Sequence, residues 1–402
     1  MIKTSTTGET ALPRYFTQVY DMACNMNKGQ LDFVLPDGRV FRATGKQDGP
    51  FAELIIHNPD IFARLIREGD LGFCDAYLDE WWSTPDLQAF MDLVHADNDE
   101  MYDGFPGQSL VRAYEKFRFW LQSNSKRQAR KNISYHYDLG NEFYGLWLDK
   151  TMTYSSALFE TGQESMEAAQ TAKYASMVDQ MGVKEGDHVL EIGCGWGGFA
   201  EYAAKERGLR VTGLTISKEQ LSYAQERIKN IGLEHLVEFK LQDYRDEKGT
   251  YDGIASIEMF EAVGEKYWPV YFETVKNCLK PGAQATLQII TVQDRRWEVY
   301  RRGVDFIQKY IFPGGMLPAQ KVLRQVIADS GLSYEKHIAF ADSYSQTLRR
   351  WYQEFNGKWD QVAALGFDDR FRRMWNFYLT SCASTFSSGN CDLVQITISR
   401  PS

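Results

Sequence analysis

The sequence predicts an α/β domain built on a mainly parallel β-sheet, preceded by a smaller N-terminal α+β domain. Two observations carry this prediction. From about residue 170, short runs rich in β-branched residues alternate with helical stretches, which is typical of βαβ units. The chain has 402 residues, more than one ordinary domain needs, and its first 122 mix strand-like and helix-like stretches. We therefore expect domains at 1–122 and 136–402, joined by a linker at 123–135.

The N-terminal domain contains a predicted β-hairpin. Residues 31–45, LDFVLPDGRVFRATG, form two runs joined by the turn signal Pro36-Asp37-Gly38. Residues 51–82 carry apolar side chains at three- and four-residue spacing, which predicts helix in parts of this stretch.

The linker at 123–135 is polar and basic. Lys126, Arg127, Arg130 and Lys131 give it four cations. One interpretation is a solvated hinge, and the other is a contact with phospholipid headgroups, worth roughly 1 kcal/mol per cation near an anionic surface.

The α/β pattern of the larger domain can be followed along the chain. The predicted strands are 188–192, 210–214, 237–241, 251–257, 285–292, 333–340 and 393–399, with helices between them. An aromatic and arginine-rich insertion covers about 294–330 and contains IFPGGMLP, and a long aromatic helical zone covers 344–386. We expect the insertion and this helical zone to wall a channel for an apolar substrate.

Composition excludes several classes of protein. Apolar residues make up 44% and charged residues 25%, as in soluble globular proteins, while a net charge of −9 disfavours a nucleic-acid binder. The six cysteines show neither CxxC spacing nor a metal-ligand cluster, which fits a reducing compartment. No apolar run is long enough to span a membrane, so a cytoplasmic protein is expected. Aromatic residues reach 14%, which favours a large apolar ligand site or a membrane-facing surface.

The strongest local signal is a glycine loop after the strand 188–192. Residues 193–198, GCGWGG, include Gly193 and Gly195, and Glu191 precedes them. A dinucleotide site needs GxGxxG and an acid about 20 residues later; here the spacing is GxGxGG, and the second strand ends without a carboxylate. S-adenosylmethionine carries a sulfonium and an amino group and no phosphate, so a carboxylate beside the loop suits it better. The loop therefore predicts an S-adenosylmethionine site.

Two further stretches fit the same cofactor. Thr215 and Gln220 follow the second strand, where hydroxyl and amide groups can bond ribose hydroxyls, although an ordinary helix cap explains them too. Gln242, Asp243 and Tyr244 follow the third strand, where an adenine ring would lie between side chains. The alternative for this second group is a loop with a packed tyrosine.

The chain resembles the cyclopropane-fatty-acyl-phospholipid synthase family, which includes the mycolic acid cyclopropane synthases, along nearly its whole length. The resemblance rests on several widely spaced motifs in one order: HYDLGN at 136–141, MTYSSA at 152–157, the glycine loop, GLTIS at 213–217, MFE at 259–261 and IFPGGMLP at 311–318. It implies the Rossmann-like, seven-stranded sheet of class I S-adenosylmethionine-dependent methyltransferases.

The resemblance also implies a reaction. The family transfers a one-carbon group from S-adenosylmethionine to an acyl double bond in a membrane phospholipid, and a bound bicarbonate removes a proton from the resulting carbocation. Glu261, Tyr344 and Ile290 match the family's bicarbonate-binding positions, and Tyr154 and Ser155 are expected to border the cofactor. Ser156, Ala262 and Gln288 replace the family's frequent cysteine and two histidines, which puts ring closure in doubt. The Ser156 hydroxyl and the Gln288 amide can still donate hydrogen bonds to a bound bicarbonate, so they are expected to belong to this site.

Several functions remain open at this point. The first is a cyclopropane synthase acting on phospholipids at the inner face of the membrane, and its close alternative forms a methyl-branched unsaturated chain. A methyltransferase for a small metabolite and a non-catalytic lipid-binding protein are the other classes. By analogy with the full-length synthases, the N-terminal domain is expected to serve membrane docking or homodimer contacts.

Overall fold

The computed structural model describes residues 3–4, 11–96, 124–126, 128–129, 132 and 139–402. The chain forms two compact units. The first unit comprises Met1–Phe119, Arg302–Ile311 and Gly366–Asn390, and the second comprises Trp120–Arg301, Phe312–Leu365 and Cys391–Ser402. Some predicted features lie outside the described residues, namely Arg127, Arg130 and Lys131 of the linker and His136 of the HYDLGN motif.

The strands of the described residues, in chain order, are β1 (Lys3–Thr4), β2 (Lys28–Val34), β3 (Val40–Thr44), β4 (Gln47–Ile56), β5 (Trp82–Ser83), β6 (His188–Ile192), β7 (Arg210–Thr215), β8 (Val237–Leu241), β9 (Tyr251–Ile257), β10 (Leu279–Val292), β11 (Ser333–Ala339) and β12 (Cys391–Ser399).

The α-helices of the same residues are α1 (Phe16–Ala23), α2 (Ile61–Leu78), α3 (Leu87–Ala96), α4 (Asn141–Trp147), α5 (Met166–Met181), α6 (Gly198–Arg207), α7 (Lys218–Asn230), α8 (Trp268–Cys278), α9 (Trp297–Tyr300), α10 (Phe306–Tyr310), α11 (Gln320–Asp329), α12 (Ala341–Gly357), α13 (Trp359–Ala364) and α14 (Asp369–Ser387). None of the helices in this described part is long and apolar enough to cross a membrane.

The first unit is built on a five-stranded sheet in the order β1-β3-β2-β4-β5. The predicted hairpin is confirmed, because β2 pairs antiparallel with β3 around the expected turn. The prediction of helix in parts of 51–82 is confirmed by α2, while residues 51–56 form the end of β4. Ala52, Leu54 and Ile56 are buried there at a period of two, which is the spacing of a strand.

The first unit also contains a helix from far along the chain. Helix α14 packs beside α3, where Gln88 Nε2 donates to Ser384 Oγ at 2.8 Å and Ser384 Oγ donates to Asp92 Oδ1 at 2.6 Å. Arg373 Nε donates to the carbonyl of Tyr77 at 2.7 Å. The structure therefore divides the chain differently from the boundaries that composition suggested, because α14 buries its aromatic face in the first unit.

The second unit holds a seven-stranded sheet in the order β11-β12-β10-β9-β6-β7-β8. Strands β10, β9, β6, β7 and β8 are mutually parallel, and β12 runs antiparallel to both β10 and β11. This is the predicted α/β architecture, and the predicted strands at 188–192, 237–241 and 251–257 have the observed bounds. The carboxyl ends of β6, β7, β8 and β9 meet at one edge of the sheet, where the candidate site lies.

The predicted helical zone at 344–386 is interrupted. It consists of α12, α13 and α14, and the chain passes from the second unit to the first at Gly366. Periodicity alone did not reveal the interruption, since aromatic residues continue at helical spacing on both sides of it.

Candidate active site

The glycine loop turns the chain from β6 into α6. Gly193, Gly195 and Gly197 have φ angles of 85°, 51° and 84°, a left-handed backbone that favours glycine. The amides of Gly193 and Cys194 both donate to the carbonyl of Leu214 on β7, at 3.0 and 2.9 Å. A Cβ added to Gly195 would meet no atom within 4 Å. The loop is therefore held to β7 on one side, while the side that a Gly195 side chain would face, called the front of the loop below, is open.

Glu191 lies at the end of β6, directly beside this opening. Its side chain is 3% exposed, and its Oε2 atom has no hydrogen-bond partner within the described part of the chain. Burial raises the pKa of this carboxyl well above its usual range, and Lys173 and Arg227 oppose the rise. A buried carboxylate oxygen without a partner, next to an open glycine loop, fits the amino and hydroxyl groups of S-adenosylmethionine.

The structure brings Thr215 and Gln220 together. Thr215 Oγ1 donates to Gln220 Oε1 at 2.9 Å, and both side chains are buried. Ser217 caps α7 by accepting the Gln220 amide at 3.3 Å. The helix cap of the alternative interpretation is therefore present, and the expected contact of Thr215 and Gln220 with ribose hydroxyls stays a prediction.

The group after β8 is held by its own ion pair. The buried carboxylate of Asp243 pairs with Arg245, whose Nη2 lies 2.7 Å from Asp243 Oδ2. Gln242 Nε2 donates to Glu247 Oε2 at 2.9 Å, and the Tyr244 ring packs 5.4 Å from that of Tyr271. The loop therefore has a fixed shape at the carboxyl end of β8.

Three of the residues expected to bind bicarbonate converge on a carboxylate that the sequence analysis missed. Glu258 Oε1 accepts from Gln288 Nε2 at 2.8 Å and from the Ser156 amide at 2.8 Å. Its Oε2 accepts from the Tyr344 hydroxyl at 2.6 Å. The Ser156 hydroxyl donates to the carbonyl of Ala157, and the Ser156 backbone amide bonds the carboxylate, so a contact of this hydroxyl with a bound anion stays a prediction.

Glu258 stands in a strained backbone position. It follows β9 directly and has a φ of 49°, which is uncommon for a residue other than glycine. Its amide donates to the carbonyl of Gln288 at 2.9 Å, which ties this turn to β10. Burial raises the pKa of Glu258, while hydrogen bonds from Tyr344, Gln288 and the Ser156 amide, and the charge of Lys173, oppose the rise. The sequence could have indicated Glu258, because it directly follows a predicted strand of the parallel sheet, where functional side chains often lie.

Glu261 and Ile290 form the adjoining part of the site. Glu261 Oε1 accepts the Ile290 amide at 2.6 Å, while Glu261 Oε2 is buried and has no partner among the described residues. Burial, and then repulsion from Glu258, raises the pKa of Glu261 to about 8. This raised pKa favours the protonated form of Glu261, in which its free oxygen can offer a proton to a nearby acceptor.

Ser155 of the 152–157 motif bonds a buried lysine. Lys173 on α5 is fully buried, and its Nζ donates to Ser155 Oγ at 2.7 Å. Burial lowers the pKa of Lys173 to about 7, and Glu258, Asp149 and Glu191 oppose the fall. The sequence analysis missed Lys173, which lies on the buried face of α5, where a lysine is unusual.

Aromatic rings pack around Tyr154. Its ring centroid lies 5.3 Å from Tyr144, 5.7 Å from Trp147 and 5.2 Å from Trp351. Trp196 of the glycine loop lies 5.0 Å from Tyr144. The glycine loop and the Tyr154 motif therefore share one apolar wall.

Comparison with known proteins identifies the family. The mycolic acid cyclopropane synthetase family matches residues 124–396. The tuberculostearic acid methyltransferase UfaA1 of Mycobacterium tuberculosis is 38% identical over 379 residues, which cover 92% of this chain and 88% of that protein. The cyclopropane-fatty-acyl-phospholipid synthase of Escherichia coli K12 is 36% identical over 350 residues, covering 87% of this chain and 88% of that enzyme.

A solved structure gives the same result. The mycolic acid cyclopropane synthase CmaA1, in complex with SAH and CTAB, superposes with a TM-score of 0.64 at 29% identity and covers 67% of this chain and 97% of that one. The matched region includes the seven-stranded sheet, the glycine loop and the residues around Glu258. The chain therefore belongs to the mycolic acid cyclopropane synthetase family of S-adenosylmethionine-dependent methyltransferases.

Proposed function

We propose that this protein methylates the double bond of an unsaturated acyl chain in a membrane phospholipid, with Glu258 as the base, and forms a methyl-branched unsaturated chain. The observation that carries this proposal is the Glu258 carboxylate, held by Gln288, Tyr344 and the Ser156 amide. The named activities of the two curated relatives, which act on fatty acyl groups, support the choice of substrate.

The cofactor would lie between the glycine loop and the Tyr154 wall. Bound S-adenosylmethionine supplies an electrophilic methyl group. Glu191 would accept hydrogen bonds from its polar groups, and Thr215 and Gln220 would face its ribose. The open space in front of Gly195 supports this assignment.

The chain's own residues then handle a carbocation. When the alkene carbon bonds the methyl carbon, the sulfonium–methyl bond would break, S-adenosylhomocysteine would be the leaving group, and the neighbouring chain carbon would be left positively charged. Aromatic side chains such as Tyr154 and Trp351 exclude water that would otherwise capture it. Glu258 takes one proton from a chain carbon next to the cation, and the electrons of that C–H bond form a new double bond. A carboxylate whose pKa is raised by burial is a better proton acceptor near neutral pH than an ordinary one.

The Glu258 carboxylate can take the place of the expected bicarbonate. A carboxylate and a bicarbonate can each present a pair of oxygens to hydrogen-bond donors, and Gln288, Tyr344 and the Ser156 backbone amide already donate to Glu258. We therefore propose that the enzyme needs no added bicarbonate. The branched product is inferred from this changed proton acceptor together with the likeness to UfaA1.

Cyclopropane formation is the second candidate. The 36% identity to the E. coli synthase favours it, and so does the protonated Glu261, which could hold a bicarbonate through its free oxygen. In that reaction the proton leaves the newly added methyl group and the ring closes.

We further propose that the enzyme is cytoplasmic and works at the inner face of the membrane, with the first unit serving membrane docking or homodimer contacts. Of the linker cations, Lys126 forms an ion pair with Asp246. Its charge is therefore partly compensated within the protein.

The product of the reaction tests the proposal. Purified protein is incubated with S-adenosylmethionine and vesicles of a monounsaturated phospholipid, with and without bicarbonate in solutions freed of CO₂. Mass spectrometry of the released fatty acids should show a gain of one CH₂ unit in both conditions, and mild hydrogenation should add hydrogen to the product. A product that takes up no hydrogen and needs bicarbonate establishes the cyclopropane candidate. No gain on several unsaturated phospholipids contradicts both.

A further inference from the structure

A buried chain of side-chain amides runs from α5 to Glu258. Gln395 lies on β12, directly opposite Gln288 on β10 in the antiparallel register, and neither side chain is exposed. Gln395 Nε2 donates to Gln288 Oε1 at 3.0 Å, and Gln288 Nε2 donates to Glu258 Oε1 at 2.8 Å. Two buried glutamines in sequence therefore end on the proposed base.

Two side chains of α5 fix the orientation of the Gln395 amide. Its Oε1 accepts from Ser176 Oγ at 2.6 Å and from Gln180 Nε2 at 2.7 Å. Gln180 Oε1 in turn accepts from Thr397 Oγ1 at 3.4 Å. With both lone pairs of its oxygen engaged, Gln395 must present its NH₂ group to Gln288.

Both hydrogen bonds between these side chains point the same way, with the donor on the side of Gln395 and the acceptor on the side of Glu258. Because Gln395 donates to Gln288 Oε1, the Gln288 amide must turn its NH₂ group toward Glu258. If the Gln288 amide were reversed, its oxygen would face the Glu258 carboxylate, and two acceptors would repel each other. A buried polar group that loses its partner is costly, so the chain holds one arrangement as long as each member is present.

From this arrangement we propose that Gln395 is a positioning residue, which holds the Gln288 amide so that it always donates to the Glu258 carboxylate and keeps that carboxylate ionised and aimed. This inference rests on the proposed role of Glu258 and extends the site by one strand. Gln395 is not among the residues that the sequence motifs indicated.

The substitution Gln395→Met tests the inference, because methionine has a similar length but cannot fix the Gln288 amide. The control is Thr286→Val on β10, a buried, nearly isosteric change at a hydroxyl that has no partner among the described residues. The acidity of Glu258 is measured without substrate, from the carboxyl band in infrared spectra of each protein minus the same protein carrying Glu258→Gln.

We expect Gln395→Met to raise the pKa of Glu258 by about one unit, since one well-aimed donor to the charged form is lost. The acid limb of the kcat profile should move upward by the same amount, with KM for the lipid nearly unchanged. Thr286→Val should match the unsubstituted protein in both readouts. An unaltered carboxyl titration and pH profile in a folded Gln395→Met protein overturn the inference.

A second variant covers the case in which Gln395→Met does not fold. Ser176→Ala combined with Gln180→Met removes both donors to Gln395 Oε1 and should move the titration in the same direction by a smaller amount. If it leaves the titration unchanged, the positioning role is contradicted. If no protein yields a methylated lipid, the proposed function fails, while the infrared titration still decides the role of Gln395.

Discussion

Glu258 combines strain, burial and three hydrogen bonds in one side chain. A carboxylate in such a place is costly unless its charge is stabilised, and the structure supplies donors to both of its oxygens. A glycine would adopt the left-handed backbone at this position without steric strain, yet a glutamate is present. The cost of this conformation suggests that the carboxylate is kept for its chemistry.

Replacing this carboxylate tests its chemical role. Glu258→Gln keeps the shape but cannot accept a proton, so we expect turnover with phospholipid vesicles to fall about 10²- to 10⁴-fold, the usual contribution of a general base. The control is Asp252→Asn on the same strand, whose carboxylate accepts from the His188 amide and Lys280 at the other end. Turnover within a few fold of the unsubstituted enzyme in Glu258→Gln would contradict the role.

The neighbouring Glu261 predicts how stability depends on pH. Burial, and then repulsion from Glu258, raises its pKa from 4.5 to about 8. Between these values the folded protein binds more protons than the unfolded chain, so this group makes the free energy of unfolding fall as pH rises. Each unit of difference corresponds to about 1.4 kcal/mol.

Glu261→Gln should remove that dependence. Urea unfolding at about pH 5 and about pH 8.5 should show a smaller loss of stability on raising the pH in the variant than in the unsubstituted protein. Equal losses in both proteins would mean that Glu261 titrates normally in the folded state. Thr286→Val serves as a control, because it changes a buried group that does not titrate and leaves Glu261 and its bond to Ile290 in place.

At the scale of elements, the turn from β6 into α6 contains a glycine, Gly195, whose role in cofactor binding can be distinguished from its role in folding. Gly195 and Gly186 both have a positive φ, and a Cβ added to either would meet no atom within 4 Å. Alanine should therefore destabilise the protein by a similar amount at both positions, about 1–2 kcal/mol from backbone strain.

Cofactor affinity should distinguish the two substitutions. Only Gly195→Ala places a methyl group in the space in front of the loop, so we expect it to weaken S-adenosylmethionine binding about tenfold or more, and Gly186→Ala to leave binding unchanged. Isothermal titration calorimetry measures both. Equal affinities would place the cofactor away from Gly195.

Elements flanked by clear signals were predicted with their observed bounds, as at 188–192, 237–241 and 251–257. Each is a short β-rich run next to a glycine, a turn or a polar loop. The sequence predicted helix in parts of 51–82 but did not locate its start, because the apolar residues of FAELII at 51–56 fit a helix and a strand equally well. Pairing with β2 decided the outcome.

At the scale of the whole molecule, the first unit depends on a helix about 270 residues further along the chain. Tyr77 packs 5.6 Å from Phe377, and Arg373 donates to the carbonyls of Tyr77 and Trp82. We therefore expect a fragment of residues 1–122 to lack a cooperative unfolding transition, because α3 would expose its apolar face.

Fusion of the missing helix provides the control. The same fragment joined to residues 366–390 through a flexible linker should regain near-ultraviolet circular dichroism and a cooperative transition in urea. If 1–122 unfolds cooperatively by itself, the N-terminal boundary expected from composition is also a folding boundary.

The sequence by itself determined the α/β class, the seven-stranded sheet, the glycine loop and the family, because these depend on local runs and on motifs at fixed places in the chain. It also indicated Tyr344, Gln288 and Ser156 as neighbours of an anion. Only the tertiary structure decided that these three residues bond the carboxylate of Glu258, that Lys173 bonds Ser155 while Gln395 bonds Gln288, and that α14 belongs to the first unit. These features depend on which atoms meet across strands and helices distant in sequence, and the distances and hydrogen-bond directions that define them exist only after the chain has folded.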